Sequence, residues 1–244
     1  MVSALTAAYQ HQLKVTRTTV GDLVARQWAD LGAYNEADVP RFLERAVPIV
    51  TAGQARAVAL TSAYLARKLG QAPVGLDVQA AQGANVRNGV APGAVYRRPF
   101  VKVWTALADG DDWEDAVTMG GNVAQSSSLM DIALAARTAL TLFGRQSGGE
   151  IVAWRRVAEP GCCDFCQSID GAYTGPDEPQ PLHNRCGCTA DPVVRQSTAE
   201  ENSTFLTPGR TFGDASIHEH GELGPVIGQK GDHFTGPSEI PAAA

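Results

Sequence analysis

Five cysteines, Cys162, Cys163, Cys166, Cys186 and Cys188, fall within one 27-residue window of a 244-residue chain. Cys163-Asp164-Phe165-Cys166 is a Cys-x-x-Cys knuckle whose two thiolates can converge on one cation. After sixteen intervening residues comes His183-Asn184-Arg185-Cys186-Gly187-Cys188. Tetrahedral zinc asks for such spacing, with two donors from a tight turn and the rest from a returning segment. Cys163, Cys166, His183, Cys186 and Cys188 compete for four positions, and Cys162 is a sixth candidate at a looser spacing. An odd number of cysteines in one patch, with no secretory signal ahead of it, argues against a disulfide scaffold.

Other chemistry fits these residues less well. A redox dithiol normally opens a helix in a βαβ setting, and no such setting is visible here. A zinc deaminase needs His-x-Glu and Pro-Cys-x-x-Cys, and a zinc peptidase needs His-Glu-x-x-His; the sequence has neither. A metal-free hairpin packed around buried thiols is the remaining alternative to structural zinc. Elsewhere, Ser126-Ser127-Ser128 lacks the Gly-x-Ser-x-Gly frame of a hydrolase, and His11 is the only histidine before His183. Gly144-Arg145-Gln146-Ser147-Gly148 has no lysine at the offset a phosphate loop requires. His218 and His220 flank Glu219 in a polar stretch and read as solvated. No catalytic residue is assigned.

The elements that must hold the patch are mostly helical. Leu5, Tyr9, Leu13, Thr16, Val20, Val24, Trp28 and Leu31 recur at three- and four-residue steps along one helical face, with Gly32 as a stop. A second helix is predicted from Asp38, with Pro40 tolerated in its first turn, through Phe42, Ile49, Ala55, Ala59 and Leu65 to Gly70. Pro48 is expected to kink or break it. Residues 71 to 95 read as a connector in which Asn88-Gly89 and Pro92-Gly93 mark turns. Helix resumes with Phe100, Val103, Trp104 and Leu107 and stops at Asp109-Gly110. A further helix from about Asp112 to Phe143 carries Leu129, Ile132, Ala133, Ala136 and Leu140, with Gly120-Gly121 a point of division. The stripe Phe100, Trp104 and Trp113 is expected in the core. Ile151-Val157 reads as a strand leading into the cysteines, and Asp170-Gly171 as a turn into a returning strand. No tandem repeat is apparent.

Charge is unevenly placed. The net charge of −6 divides into +3 over residues 1–70, −2 over 71–150, −2 over 151–190 and −5 over 191–244. The whole chain lacks a strongly basic nucleic-acid footprint, and the mildly basic first third reads as a solvated helix face. No apolar run reaches the roughly 18 residues of a membrane span, and a cytoplasmic site of synthesis is expected. The predicted fold class is mainly α. A helical body covers 1–146, a small C-terminal α+β zinc-ribbon-like module covers 147–192, and a polar acidic tail, extended or disordered, covers 193–244.

The knuckle Cys163-x-x-Cys166, then Asp170-Gly171, then Leu182-His183-x-x-Cys186-x-Cys188-Thr189 resembles the C-terminal signature of the phage Mu F-like minor head proteins, or phage head morphogenesis proteins. Arg97-Arg98-Pro99-Phe100-Val101-x-Val103-Trp104-x-Ala106-Leu107-x-x-Gly110, followed by Ala116-Val117, is similar to versions carried by phages of actinobacteria. The family often has proline after the motif histidine and a basic residue between the last two cysteines, where this chain has Asn184 and Gly187. The resemblance implies a minor capsid protein in the capsid interior near the portal, made in the host cytoplasm and carried in the virion. Implied partners are the portal protein and the scaffold or major capsid protein, with weak contact to packaged DNA and no membrane. It further implies a role in head assembly and in DNA packaging or ejection. The alternative is a capsid maturation protease or another head-processing hydrolase.

Overall fold

The computed structural model describes residues 3–72, 75–178, 180–182, 187–195, 206, 211–212 and 215–229. Its body is four long helices: α1 (Ala4–Ala29), α2 (Asp38–Leu69), α3 (Pro92–Asp109) and α4 (Trp113–Gln146). Ser3 caps α1 by accepting the Thr6 backbone N–H at 3.2 Å, and Asp112 caps α4 by accepting that of Asp115 at 2.9 Å. The α1 stripe is buried as its periodicity predicts, from Tyr9 through Leu13, Thr16, Val20 and Val24 to Trp28.

Pro48 does not break α2, which runs continuously across it. The helix tolerates the proline because Pro48 and Glu44 are both exposed, so the carbonyl that loses its N–H partner can turn to water. Gly120-Gly121 does not divide α4 either. A Cβ on Gly120 would lie 2.6 Å from Trp28 Cζ2 and 2.9 Å from the Pro99 carbonyl oxygen, and one on Gly121 3.0 Å from Trp28 Cδ1. The glycine pair is the seat on which the Trp28 indole brings α1 and α3 against α4. The connector contains two short 3-10 turns (Gln79–Ala81 and Gly83–Arg87), and Pro92-Gly93 is the first turn of α3 instead of a loop, since a proline at the first helical position lacks only a donor that would be unpaired anyway. Trp28, Phe42 and Phe100 form the aromatic centre, with ring centroids 4.9 to 5.7 Å apart. Trp104 is half-buried, and Trp113, expected in the core, is exposed at the start of α4, where only its edge meets Tyr34.

α2 also carries an eleven-residue repeat that the sequence reading overlooks. Arg45-Ala46-Val47 recurs as Arg56-Ala57-Val58, Ala52 as Ala63, Ala55 as Ala66, and Arg67 opens a third copy. Eleven residues make three helical turns with only about 20° left over, so such a repeat keeps one face nearly straight.

The predicted strand forms as β1 (Ile151–Val157), followed by the single helical turn α5 (Asp164–Ser168), β2 (Tyr173–Thr174) and β3 (Thr189–Val194). β1 is central, antiparallel to both β2 and β3. The expectation of an extended or disordered tail is corrected over its described part. β4 (Thr211–Phe212), β5 (Ala215–His220) and β6 (Gly224–Gln229) form a second antiparallel sheet, joined to the first region by a parallel bridge between Leu182 and Val226. Residues 196–205, 207–210, 213–214 and 230–244 of that tail lie outside the described residues. The few apolar side chains of this stretch are well placed. Ile217 and Ile227 pack with Ile169 and Leu206, while Leu223 and Val226 join the main core with Ile132, Leu140 and Trp154. One core therefore runs across the body and the β region.

Candidate functional site

The β region holds its cysteines around a buried arginine. Arg156 of β1 is 1 % exposed; its Nη1 donates to the Pro181 carbonyl at 2.8 Å and its Nη2 to Cys166 Sγ at 3.5 Å. Cys163 is the N-cap of α5, and Cys166, one turn on, is fully buried. The β1–β3 register sets Val157 opposite Thr189, which places Cys188, with Gln180, Arg137 and Arg17, around a cavity of about 30 Å³, room for one water. Gly187 has no space for a side chain because the Glu159 carboxylate stands there. Lys14 of α1 neutralises that carboxylate at 2.9 Å.

Of the five sequence-predicted ligands, Cys163, Cys166 and Cys188 are described, while His183 and Cys186 lie outside the described residues. Among the described residues no three Cys, His, Asp or Glu side chains gather closely enough to hold a metal ion, so the three visible cysteines do not make a site by themselves. A zinc-ribbon-like centre needs His183, Cys186 or both to complete it.

Two polar clusters that the sequence reading missed tie the β region to the helices. In the first, Arg87 donates to Asp131 Oδ1 at 2.5 Å and to Glu222 Oε1 at 2.6 Å. Tyr96 donates to the other oxygen of Asp131 at 2.7 Å, and Arg98 grips Glu222 with two bonds of 3.0 and 2.8 Å. In this set of four, two cations face two anions, and their charges balance. Burial pushes the Glu222 carboxyl up, but the bonds and charges of Arg98 and Arg87 outweigh it and hold the group below its ordinary value. Nearby, Arg137 is buried among carbonyls, donating to those of Gln180 at 3.4 Å, Pro225 at 3.3 Å and Leu223. Burial lowers its pKa to about 10. His220, expected to be solvated, is 3 % exposed, and its Nδ1 accepts the backbone N–H groups of Glu222 and Leu223, each at 3.1 Å. The signal for this cluster was in the sequence: Asp131 between Met130 and Ile132, and Arg137 within Leu134-Leu140, are charges on an otherwise apolar helical face.

The second cluster surrounds Asp191 of β3. Its carboxylate accepts from Tyr64, from Thr6 at 2.9 Å and from Lys68 at 3.0 Å. Burial raises its pKa, yet the hydrogen bonds of Tyr64, Lys68 and Thr6 more than offset this and hold the acid below its ordinary value. Lys68 also donates to Ser3 Oγ at 3.3 Å and Thr6 Oγ1 at 3.2 Å. A serine hydroxyl beside a lysine resembles a hydrolase dyad, but Lys68 Nζ divides its donors among Ser3, Thr6 and Asp191. Ser3 itself is engaged in capping α1. The arrangement is a tie between α1, α2 and β3.

No protein-family model, curated protein or solved structure matches the chain.

Proposed function

We propose that the chain is a phage minor head protein of the Mu F-like type, portal-associated inside the procapsid, assisting head assembly and the packaging or ejection of DNA. The reading rests on the two sequence blocks that carry the resemblance, and one observation supports taking them together. Arg98, in the Arg97-Arg98-Pro99-Phe100-Val101 block of α3, binds Glu222 of the β5–β6 turn with two hydrogen bonds, and the Leu182 that precedes the histidine motif pairs with Val226 of the same hairpin. The two signatures thus serve one packed unit. Such a body suits docking, because helical faces supply the grooves and ridges that partner proteins recognise. The same reading assigns a structural zinc to four of Cys163, Cys166, His183, Cys186 and Cys188; bound there, the metal supplies shape, not chemistry.

The test is retention of portal protein by the immobilised chain at micromolar concentration, repeated with Trp113→Ala, Val101→Ser and Leu23→Ser, which alter exposed apolar side chains of the helical body. Weakened retention by at least one variant is expected. If no portal, scaffold or capsid component is retained, and a head protein is cut on co-expression, a maturation protease replaces this reading.

A further inference from the structure

Three arginines line one cavity where the helical body meets the β region: half-buried Arg17 of α1, Arg137 of α4 and Arg156 of β1. Arg137 is 6 % exposed and Arg156 1 %. Leu13, Ile132 and Leu140 supply apolar wall. The Arg137 guanidinium donates to the carbonyls of Gln180, Pro225 and Leu223, all neutral, and among the described residues no carboxylate stands within ion-pair distance of it. The neighbouring acids are otherwise placed. Glu159, whose carboxylate stands at Gly187 on the cavity wall, is held by Lys14 at 2.9 Å. Glu219 is exposed and acts on Arg137 through its field, without a bond. In the Arg87 cluster, by contrast, each guanidinium meets a carboxylate directly. Gln180 is a second sign. It is 5 % exposed and lines the same cavity, its Nε2 donates to Thr174 Oγ1 at 2.6 Å, and its Oε1 has no hydrogen-bond partner. Turning the amide over lets Oε1 accept from the Thr174 hydroxyl and sets an N–H donor where the unused acceptor stands.

We infer that this cavity binds a monatomic anion, chloride, as counter-ion to the buried arginines. Charge selects the class of ligand. A buried guanidinium bonded only to carbonyls keeps an uncompensated charge in a medium of low dielectric, and Arg17 and Arg156 bring two more charges of the same sign to the same space. Size selects the member. The cavity of about 30 Å³ exceeds the roughly 10–15 Å³ that one water needs, which leaves space for a chloride but not for phosphate with its four oxygens. The apolar wall acts in the same direction, because an ion that enters must leave its water behind, and chloride gives up hydration more readily than a carboxylate does. A chloride held there ties α1, α4 and β1 at one point, so its binding stabilises the fold. The inference needs no metal at the cysteines and holds whether or not the chain belongs to a phage head.

The experiment follows thermal unfolding of the full chain by tryptophan fluorescence near neutral pH, while sodium gluconate is exchanged for sodium chloride at a constant total of about 0.2 M, so that screening stays fixed. A Kd of about 10 mM is expected, with which the highest chloride raises Tm by about 4–7 °C along a saturating curve. Arg17→Met removes one of the three charges and keeps a side chain of similar length; it should weaken binding about tenfold and cut the rise to below about 2.5 °C. Arg45→Ala, at an exposed arginine of α2, should keep the full rise. Each variant is compared with itself in gluconate, so a lower baseline Tm does not imitate lost binding. Sulfate, too large for the cavity, stabilises proteins by exclusion from their surface, and its effect should be the same in wild type and R17M. Chloride NMR line width reads binding directly: wild type should broaden the line and R17M should broaden it much less. A Tm indifferent to chloride, a rise as large in R17M as in wild type, an equal loss in R45A, or no excess line width with wild type overturns the inference and leaves the cavity to water.

Discussion

Replacing Glu222 by alanine should destabilise the protein by about 3–5 kcal/mol, the cost of breaking a buried ion pair from one side. The magnitude follows from what the deletion leaves behind. Three charge-assisted hydrogen bonds disappear, of 2.6, 3.0 and 2.8 Å. The Arg98 side chain is 27 % exposed and recovers hydration. The Arg87 side chain is 4 % exposed and cannot, so it remains buried with Asp131 and, at 3.3 Å, the Ser127 carbonyl. In a protein of this size that loss lowers Tm by roughly 6–20 °C. R98A should cost far less, about 1–2 kcal/mol, because Glu222 keeps Arg87. The double variant E222A/R98A should then be little worse than E222A, giving a coupling energy above about 1 kcal/mol. Urea denaturation followed by tryptophan fluorescence measures all three, and hydrogen exchange at Ile217 and Val226 reports whether the β5–β6 hairpin detaches first. An E222A cost below about 1 kcal/mol, additive with R98A, would refute the claim that the Glu222 cluster ties the hairpin to the bundle.

G120A should destabilise despite the roughly 1 kcal/mol of helix propensity that alanine gains over glycine, because its Cβ meets Trp28, Val103 and the Pro99 carbonyl, all within 3.0 Å; a net loss of about 1–2 kcal/mol in thermal or urea melts is expected. Acid should unfold the protein: Glu222 and Asp191 are held below their ordinary values of 4.5 and 3.8, so the unfolded chain binds more protons as pH falls. Their contribution is complete above about pH 5 and is lost as pH drops through the folded-state values, and E222Q and D191N should each flatten the stability–pH curve below pH 5. Freshly purified, reduced protein should contain about one zinc per chain, lost in C163S or C166S; elemental analysis without zinc removes the metal from the reading.

The helices were legible because their apolar residues repeat at helical spacing and their caps are sequence-local. Asp112 and Gly110, read as a helix start and a helix stop, act within four residues of themselves. Pro48 and Gly120-Gly121, read as breaks, do not interrupt their helices because the deciding facts were tertiary, the exposure of Pro48 and Glu44 and an indole seated on two glycines, whereas Pro92-Gly93 misled locally, since the same dipeptide can mark a turn or open a helix. The C-terminal strands were misread for a related reason. Their composition is polar, but the partners that make burial affordable, Arg87, Arg98 and Arg137, come from helices about 85 to 135 residues earlier, beyond the reach of local pattern. At the candidate site the cysteines were found from spacing, whereas Arg156 beside Cys166 was invisible until β1 and α5 were set against each other.

The order in which the ribosome releases the chain bears on the Arg87 and Arg137 pairings. Synthesis proceeds from the N-terminus, and domains begin to fold as they emerge, so α1 through α4 and their connector are made before the residues that complete the shells of two buried guanidiniums; Arg87 meets Asp131 of α4 early. Arg87 waits for Glu222, and Arg137 for the carbonyls of Leu223 and Pro225. Until then water must serve the donors that the hairpin later takes. Docking of the β5–β6 hairpin therefore follows synthesis of the whole helical body, and a chain cut before residue 222 should lose at least the stability that E222A loses.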